Sequence, residues 1–250
     1  MTEKSESSLA RMLSVLDLFS DQQLSWTAEA ITEALQVSLP TGYRYVKMLT
    51  DAGLLQRSTD AHYTLGPRII VLDHYIRLSD PVLQHGLPFM KELAAQTGLD
   101  CVVSALYGGQ LLDTHRETGS APLNLSYGRG RPRPLFRGAA PKVILAALPT
   151  AALHKLFDAR QGEVAAAGLP TDWPNFRRTF SRIRKAGFYR SHGELEASLA
   201  AVAAPLLHPD GRVAGALSLV TTVDRMAVID TTKLAQRVMR AAQDIGSRLP

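Results

Sequence analysis

The chain has 250 residues, 46% of them hydrophobic and 20% charged, enough apolar side chains for one large core or two modest ones, which excludes wholesale disorder. No apolar run approaches the roughly 20 residues of a membrane-spanning helix, the start MTEKSESSLA lacks the apolar centre of a secretory leader, and the single cysteine, Cys101, excludes an internal disulfide and a multi-cysteine metal site. The net charge of +5 does not locate a nucleic-acid-binding end, because residues 1–80 hold seven Lys/Arg against ten Asp/Glu and the excess lies in residues 81–250. Charges more than about 10 Å apart are screened at moderate salt, so local placement decides. A cytoplasmic protein is expected, with no metal, no cofactor and no membrane partner.

Residues 8–19 (SLARMLSVLDLF) set Leu9, Met12, Leu13, Leu16 and Phe19 at helical spacing behind Ser8 as N-cap. WTAEAITEAL reads as a second helix capped by Thr27, with Glu29 in the first turn and Ile31, Ala34 and Leu35 inward. After the short turn QVS, residues 38–55 (SLPTGYRYVKMLTDAGLL) read as a third helix with Ser38 as N-cap, Pro40 in its first turn and Gly53 as its stop. Its faces disagree: Gly42, Tyr45, Val46, Leu49 and Ala52 lie on one, and Pro40, Thr41, Tyr43, Arg44 and Lys47 on the other. Residues 54–57 and 62–65 read as short strands around the polar turn STDA, closed by Gly66-Pro67. Three helices followed by a hairpin, with a tight turn between the second and third, is the order of a winged helix-turn-helix. Residues 68–79 read as a connecting helix with Ile69, Leu72, Ile76 and Tyr75 on one stripe and Pro81 as its end; such a rigid connector would fix the distance between two reading heads in a dimer.

In the second half, PFMKELAAQTG reads as a helix with Pro88 early and Gly98 at its stop, and residues 99–118 as a hairpin about Gly108-Gly109. APLNLS (121–126) reads as a strand, YGRGRPRPLFRG as a loop, AAPKVILAAL as a helix ended by Pro149, and FRRTFSRIRKAG as a basic amphipathic helix. A long apolar hairpin over 197–222 turns at HPDG, and a closing helix turns Leu234, Val238, Ala241, Ile245 and Leu249 inward. Long strands with helices beside them in sequence indicate an α+β domain.

Taken in order, TGYRYVKMLTDAGLLQ, YTLGPRI, GAAPKVILAAL and IRKAGFYRSHGELEASLAAVAAPLLHPDGRVAGALSLV resemble the IclR family of bacterial transcriptional regulators over nearly the whole chain. The resemblance implies a winged helix-turn-helix DNA-binding domain (1–66), a linker helix (67–80) and a GAF-like α/β effector-binding and oligomerisation domain (81–250). It also implies homodimers or homotetramers, double-stranded operator DNA and a small effector as partners, and no catalysis. Segment by segment, it puts Leu123, Leu125, Arg133, Ala139, Ala140, His192, Ala201, Ser218 and Val220 around the effector. Where the family uses more polar groups, Ala201 and Val220 are apolar here, and Pro141 replaces the common glycine before Lys142. An apolar wall beside Arg129, Arg131, Arg133 and Arg137 leads us to expect a larger, partly apolar organic acid such as an aromatic one, because arginine binds carboxylates bidentately.

For the third helix, a solvated face with incidental cations is the bland alternative. In a winged head, however, the N-terminal residues of such a helix reach base edges in the major groove. Thr41, Tyr43, Arg44 and Lys47 have that chemistry, with Pro40 on the same face; Thr27 and Ser38 sit at helix starts where backbone N–H groups meet phosphate, and Arg57 in the wing suits phosphate or the minor groove. His62 suits surface hydrogen bonding. The basic run of Arg177, Arg178, Arg182, Arg184 and Lys185 reads as a solvated helix face. Lys142 lacks the glycine spacing of a P-loop, no metalloprotease histidine motif or nucleophile elbow occurs, and Glu194 and Glu196 alone do not make an acid/base pair. The rival readings are a small-molecule-processing enzyme with a helical N-terminal appendage and a protein-interaction adaptor.

Overall fold

The computed structural model describes residues 7–121, 123, 125 and 127–250, so expectations resting on residues 1–6 lie outside the described residues. The chain divides into two compact units, Met1–Ser79 and Asp80–Pro250.

In the first unit, α1 (Ser8–Leu13) passes directly into a 3-10 helix (Ser14–Leu18). The tighter winding moves the side chains off the 3.6-residue stripe. Val15 is therefore fully buried, whereas the expected core residues Leu9 and Leu13 are 67% and 51% exposed. The N-cap is Ser7, whose Oγ accepts from Ala10 N, while the expected cap Ser8 meets the Tyr45 hydroxyl at 2.9 Å. There follow β1 (Trp26–Thr27), α2 (Ala28–Ala34), α3 (Leu39–Asp51), β2 (Leu55–Arg57), β3 (His62–Leu65) and α4 (Arg68–Ser79). The hairpin β2–β3 is the expected wing, and β1 adds a third strand, pairing Trp26 with Tyr63, too short to show in the sequence. Val15, Ala28, Ile31, Tyr45, Val46, Leu49 and Leu55 form the core.

Besides Ala28 and Ile31, α2 buries Thr32 and not the expected Ala34; the Thr32 Oγ1 donates to Ala28 O at 2.7 Å, so burial leaves no unpaired hydroxyl. Gly42 lies against it. A Cβ there would stand 2.0 Å from Thr32 Oγ1, so only glycine lets α3 settle on α2. Helix α4 buries none of its residues: Ile70, Val71, Leu72, Tyr75, Ile76 and Leu78 are each 40% or more exposed.

The second unit opens with α5 (Pro81–Thr97), which starts seven residues before the expected Pro88. Pro81 begins this helix instead of only ending the one before: Asp80 Oδ1 accepts from Val82 N and Leu83 N, and proline suits a first helical turn. Next come β4 (Asp100–Tyr107), β5 (Gln110–Glu117), β6 (Pro132–Arg133), α6 (Ala139–Ala147), α7 (Thr150–Ala159), α8 (Gln161–Ala166) and α9 (Trp173–Ala186). The unit closes with β7 (Tyr189–His192), β8 (Leu199–Leu207), β9 (Val213–Thr222), α10 (Val223–Ala227) and α11 (Thr231–Gly246). The strand expected over 121–126 falls partly outside the described residues; its described members Ala121, Leu123 and Leu125 lie in no strand, and the two leucines are half-buried.

Six antiparallel strands in the order β6-β5-β4-β9-β8-β7 form the sheet. Helices α5 and α11 cover one face, with Met90, Cys101, Val202, Leu217, Leu219, Val238 and Ile245 in the seam. Helices α6 to α9 cover the other, with Phe136, Ile144, Phe157, Phe176, Phe180 and Ala203. A sheet covered on both faces explains why β8 and β9 read as nearly continuous apolar runs. No helix among the described residues is long and apolar enough to cross a membrane.

Candidate nucleic-acid face and ligand cavity

Helix α3 turns Gly42, Tyr45, Val46 and Leu49 into the core, which leaves Pro40, Tyr43, Arg44 and Lys47 exposed and Thr41 half-buried. Tyr43, Arg44, Lys47, Thr50 and Asp51 border an open depression whose far side is Arg57 and Tyr63 of the wing. Arg44, Lys47 and Arg57 make no ion pair with any described residue. Of the two helix-start residues, Thr27 Oγ1 accepts from Ala30 N and caps α2. Ser38 caps no backbone N–H with its side chain and instead meets Thr41 Oγ1 at 2.9 Å. The Tyr43 hydroxyl donates to the Glu29 carboxylate of α2. That bond holds the Glu29 carboxyl below the usual range and raises the Tyr43 phenol above its own. The sequence presents Tyr43 as an outward contact group and Glu29 as a partner of the helix dipole, and nothing in their spacing pairs the two. His62 Nδ1 faces Asp60 O within the wing turn.

In the second unit, six of the nine residues assigned to the effector (Arg133, Ala139, Ala140, Ala201, Ser218 and Val220) line one cavity of about 20 Å³. Tyr127, Gly138, Ser191, Leu195, Leu199 and Ala200 complete it. His192 does not line it: side chains alternate along β7, so its neighbour Ser191 is buried at the cavity and His192 is exposed. Leu123 and Leu125 lie outside the lining.

Arg133 is held behind the cavity by Asp113, Nη1 to Oδ1 at 2.8 Å, and Asp113 also accepts from Ser104 Oγ at 2.6 Å. The guanidinium stacks over Tyr127, 4.2 Å from the ring centre, and burial pushes the Tyr127 phenol up to about 12. Arg133 is the one arginine of its loop at the cavity. Arg129 donates to Thr114 O, and Arg137 is exposed and donates to Ala166 O. At the start of α6, Glu194 accepts from Gly138 N at 3.0 Å and from Lys142 Nζ at 2.6 Å, and Tyr189 Oη donates to its other oxygen at 2.9 Å. Lys142 and Glu194 are thus a structural knot. Arg184 of the basic helix donates to Ala146 O and Leu148 O at the end of α6.

A winged helix-turn-helix head joined to an α/β domain with an internal cavity defines the class of a helix-turn-helix transcriptional regulator. Residues 8–59 match the IclR helix-turn-helix domain and residues 77–247 the bacterial transcriptional regulator IclR C-terminal domain. The chain belongs to the IclR family of bacterial transcriptional regulators. It is 25% identical over 236 residues to the HTH-type transcriptional regulator XynR of Escherichia coli, covering 94% of this chain and 93% of that one. It is 22% identical to the Pca regulon regulatory protein of Pseudomonas putida, covering 97% and 84%. The fold matches the IclR family transcriptional regulator of Brucella abortus with a TM-score of 0.79, 19% identity and coverage of 100% and 97%. It also matches an IclR homologue of Microbacterium hydrocarbonoxydans, crystallised with 4-hydroxybenzoate, with a TM-score of 0.75, 22% identity and coverage of 97% and 99%.

Proposed function

We propose that the protein is an effector-responsive regulator in which residues 1–66 read operator DNA, residues 67–80 connect, and residues 81–250 bind a small organic acid and oligomerise. The observation that carries the reading is the depression where α3 and the wing turn Tyr43, Arg44, Lys47 and Arg57 outward without ion pairs among the described residues. Arg44 forks onto a guanine edge, a contact that contributes about 1–3 kcal/mol of discrimination. Lys47 and Arg57 meet phosphate, as do the helix starts at Thr27 and Ser38 and the Thr41 hydroxyl, with Pro40 on the same face. Tyr43, tethered to Glu29, presents its ring edge.

The exposed apolar residues of α4 supply a seam for a second copy of the chain, giving two heads for pseudo-palindromic half-sites. The effector is a partly apolar, aromatic-type acid of a catabolic route: the cavity wall is mostly apolar, one structural relative was crystallised with 4-hydroxybenzoate, and one curated relative is named for a regulon. Every relative named above is a regulator, which disfavours the enzyme reading.

The test is a gel shift of the region upstream of its own gene at several salt concentrations. Affinity falls steeply with salt because phosphate contacts release counterions; a salt-independent shift, or none, would defeat the reading. Ile76→Glu should dissociate the dimer in sedimentation. Binding of two- and three-carbon acids alone would refute the larger effector.

A further inference from the structure

We propose that the cavity beside α6 is a monocarboxylate site, with the ligand's charged end held between Arg133 and Ser218 and only one negative charge accepted. The proposal rests on the effector-domain reading above and specifies its ligand chemistry. Among the described residues, two buried side-chain polar atoms have no hydrogen-bond partner, Arg133 Nε and Ser218 Oγ, and both residues line this cavity. Buried polar groups in folded proteins are almost always paired, so two orphans at one cavity indicate a partner that binds there. Ser218 is 3% exposed and the Arg133 side chain 7%, so neither is satisfied by bulk water.

The chemistry of the partner follows from the two atoms. Arg133 Nε–H is a donor on a permanent cation and calls for an anionic acceptor. The Ser218 hydroxyl donates to the same group. Helix α6 starts at the cavity with Ala139 and Ala140, and no side chain caps it; Gly138 N is engaged by Glu194. First-turn N–H groups and the positive end of the helix dipole thus face the same anion.

The charge limit comes from what surrounds the cation. Arg133 is already paired with Asp113, and the neighbouring cation Lys142 is taken by Glu194. A single carboxylate has Arg133 and the helix start to itself. A second would lie among Leu195, Leu199, Ala200, Ala201 and Val220, with only the hydroxyls of Ser191 and Tyr127 near and no second cation in the lining, where an unpaired buried charge is strongly disfavoured.

The experiment is calorimetric titration of the full-length protein with benzoate, benzamide and terephthalate, and with acetate and hexanoate as aliphatic acids. Benzoate or hexanoate binds, benzamide binds at least tenfold more weakly, and terephthalate does not bind. Ser218→Ala melts no lower than the parent without ligand, since it removes a hydroxyl that has no partner, yet weakens the carboxylate about tenfold. Arg133→Gln, which keeps a donor for Asp113, abolishes the preference for benzoate over benzamide. Equal binding of the amide, tight binding of the dianion, unchanged affinity in Ser218→Ala, or no binding by any carboxylate overturns the proposal. The same preparations are tested for the upstream DNA shift. Intact DNA binding with no carboxylate binding sinks this inference alone, whereas lost DNA binding in the parent sinks the regulator reading.

Discussion

Replacing Gly42 with alanine tests the helix-turn-helix geometry at its tightest point. The added Cβ would sit 2.0 Å from Thr32 Oγ1, 2.9 Å from its Cβ and 3.2 Å from its Cγ2, all inside van der Waals contact. Thr32 cannot swing away cheaply: it is buried, and its hydroxyl is committed to Ala28 O. The helices must separate, and overpacking of this kind costs about 1–3 kcal/mol, here at the upper end. Exchanging glycine for alanine inside a helix returns about 1 kcal/mol of intrinsic propensity. The net loss is about 1–2 kcal/mol, which lowers the melting point of a unit this size by about 4–16 °C. The chain has two tryptophans, so a Trp173→Phe background leaves Trp26, which lies in the first unit, as the fluorescence reporter. Adding Thr32→Ala removes Oγ1 and Cγ2, the first of them the closest contact, but keeps the Cβ at 2.9 Å, and so restores part of the loss. A Trp26 transition in Gly42→Ala that stays put or rises would refute the argument that this glycine is required for close approach.

Arg44→Ala should relax operator specificity, while Lys47→Ala should weaken all sequences alike and reduce the salt slope by about 1; gel shifts on operator and scrambled DNA separate the two. The Asp100 side chain is fully buried and accepts from Arg116 Nε at 3.0 Å and Gly119 N at 2.8 Å. Asp100→Ala should therefore cost about 3 kcal/mol, the low end for a broken buried pair because Arg116 is partly exposed and can turn to water, and calorimetry should show the loss in the larger unit alone. The Tyr127 phenol, raised to about 12 chiefly by burial, contributes stability that is complete below pH 10 and is lost as the pH rises towards 12. Absorbance at the tyrosinate band should show late-titrating phenols, since Tyr43, Tyr107 and Tyr189 are raised as well, and Tyr127→Phe should remove one of them.

The reading head was legible because its signals are local. Helix α3 announces its buried face by spacing, its start by Ser38 and Pro40, and its end by Gly53, whose φ is +73°. The wing is legible for the same reason. Pairings between elements were not. Nothing in the spacing of Glu29 and Tyr43 says that they meet, and a two-residue β1 carries no period to detect. Of the apolar pattern over 8–19, Met12, Leu16 and Phe19 pack on the core and Leu9 and Leu13 do not, the 3-10 winding after α1 bringing in Val15 instead, and α4 carries apolar residues that no described residue of its own unit covers. At the cavity, segment matching to the family brought six residues together and missed His192 by one position, because a one-residue slip on a strand exchanges the two faces. Tyr127 and Ser191 carry no mark of their own; they enter the cavity through the cation–π contact with Arg133 and the alternation of β7.

The cavity's size constrains how an effector held there would act. About 20 Å³ accommodates a single water, so any organic acid must enlarge it. The floor is poorly placed to yield: β8 and β9 are paired on both sides within the sheet and covered by helices on both faces. Enlargement then falls on the segments at the rim, which are Tyr127 to Arg133 and the turn after β7. Each is tied by an ion pair, Arg133 to Asp113 of β5 and Glu194 to Lys142 of α6. A ligand large enough to fill the site binds the widened arrangement and not the closed one, and such unequal affinity for two states is the condition for a ligand to shift a population. An ion small enough to fit without displacing either tie would bind both arrangements alike and shift neither population.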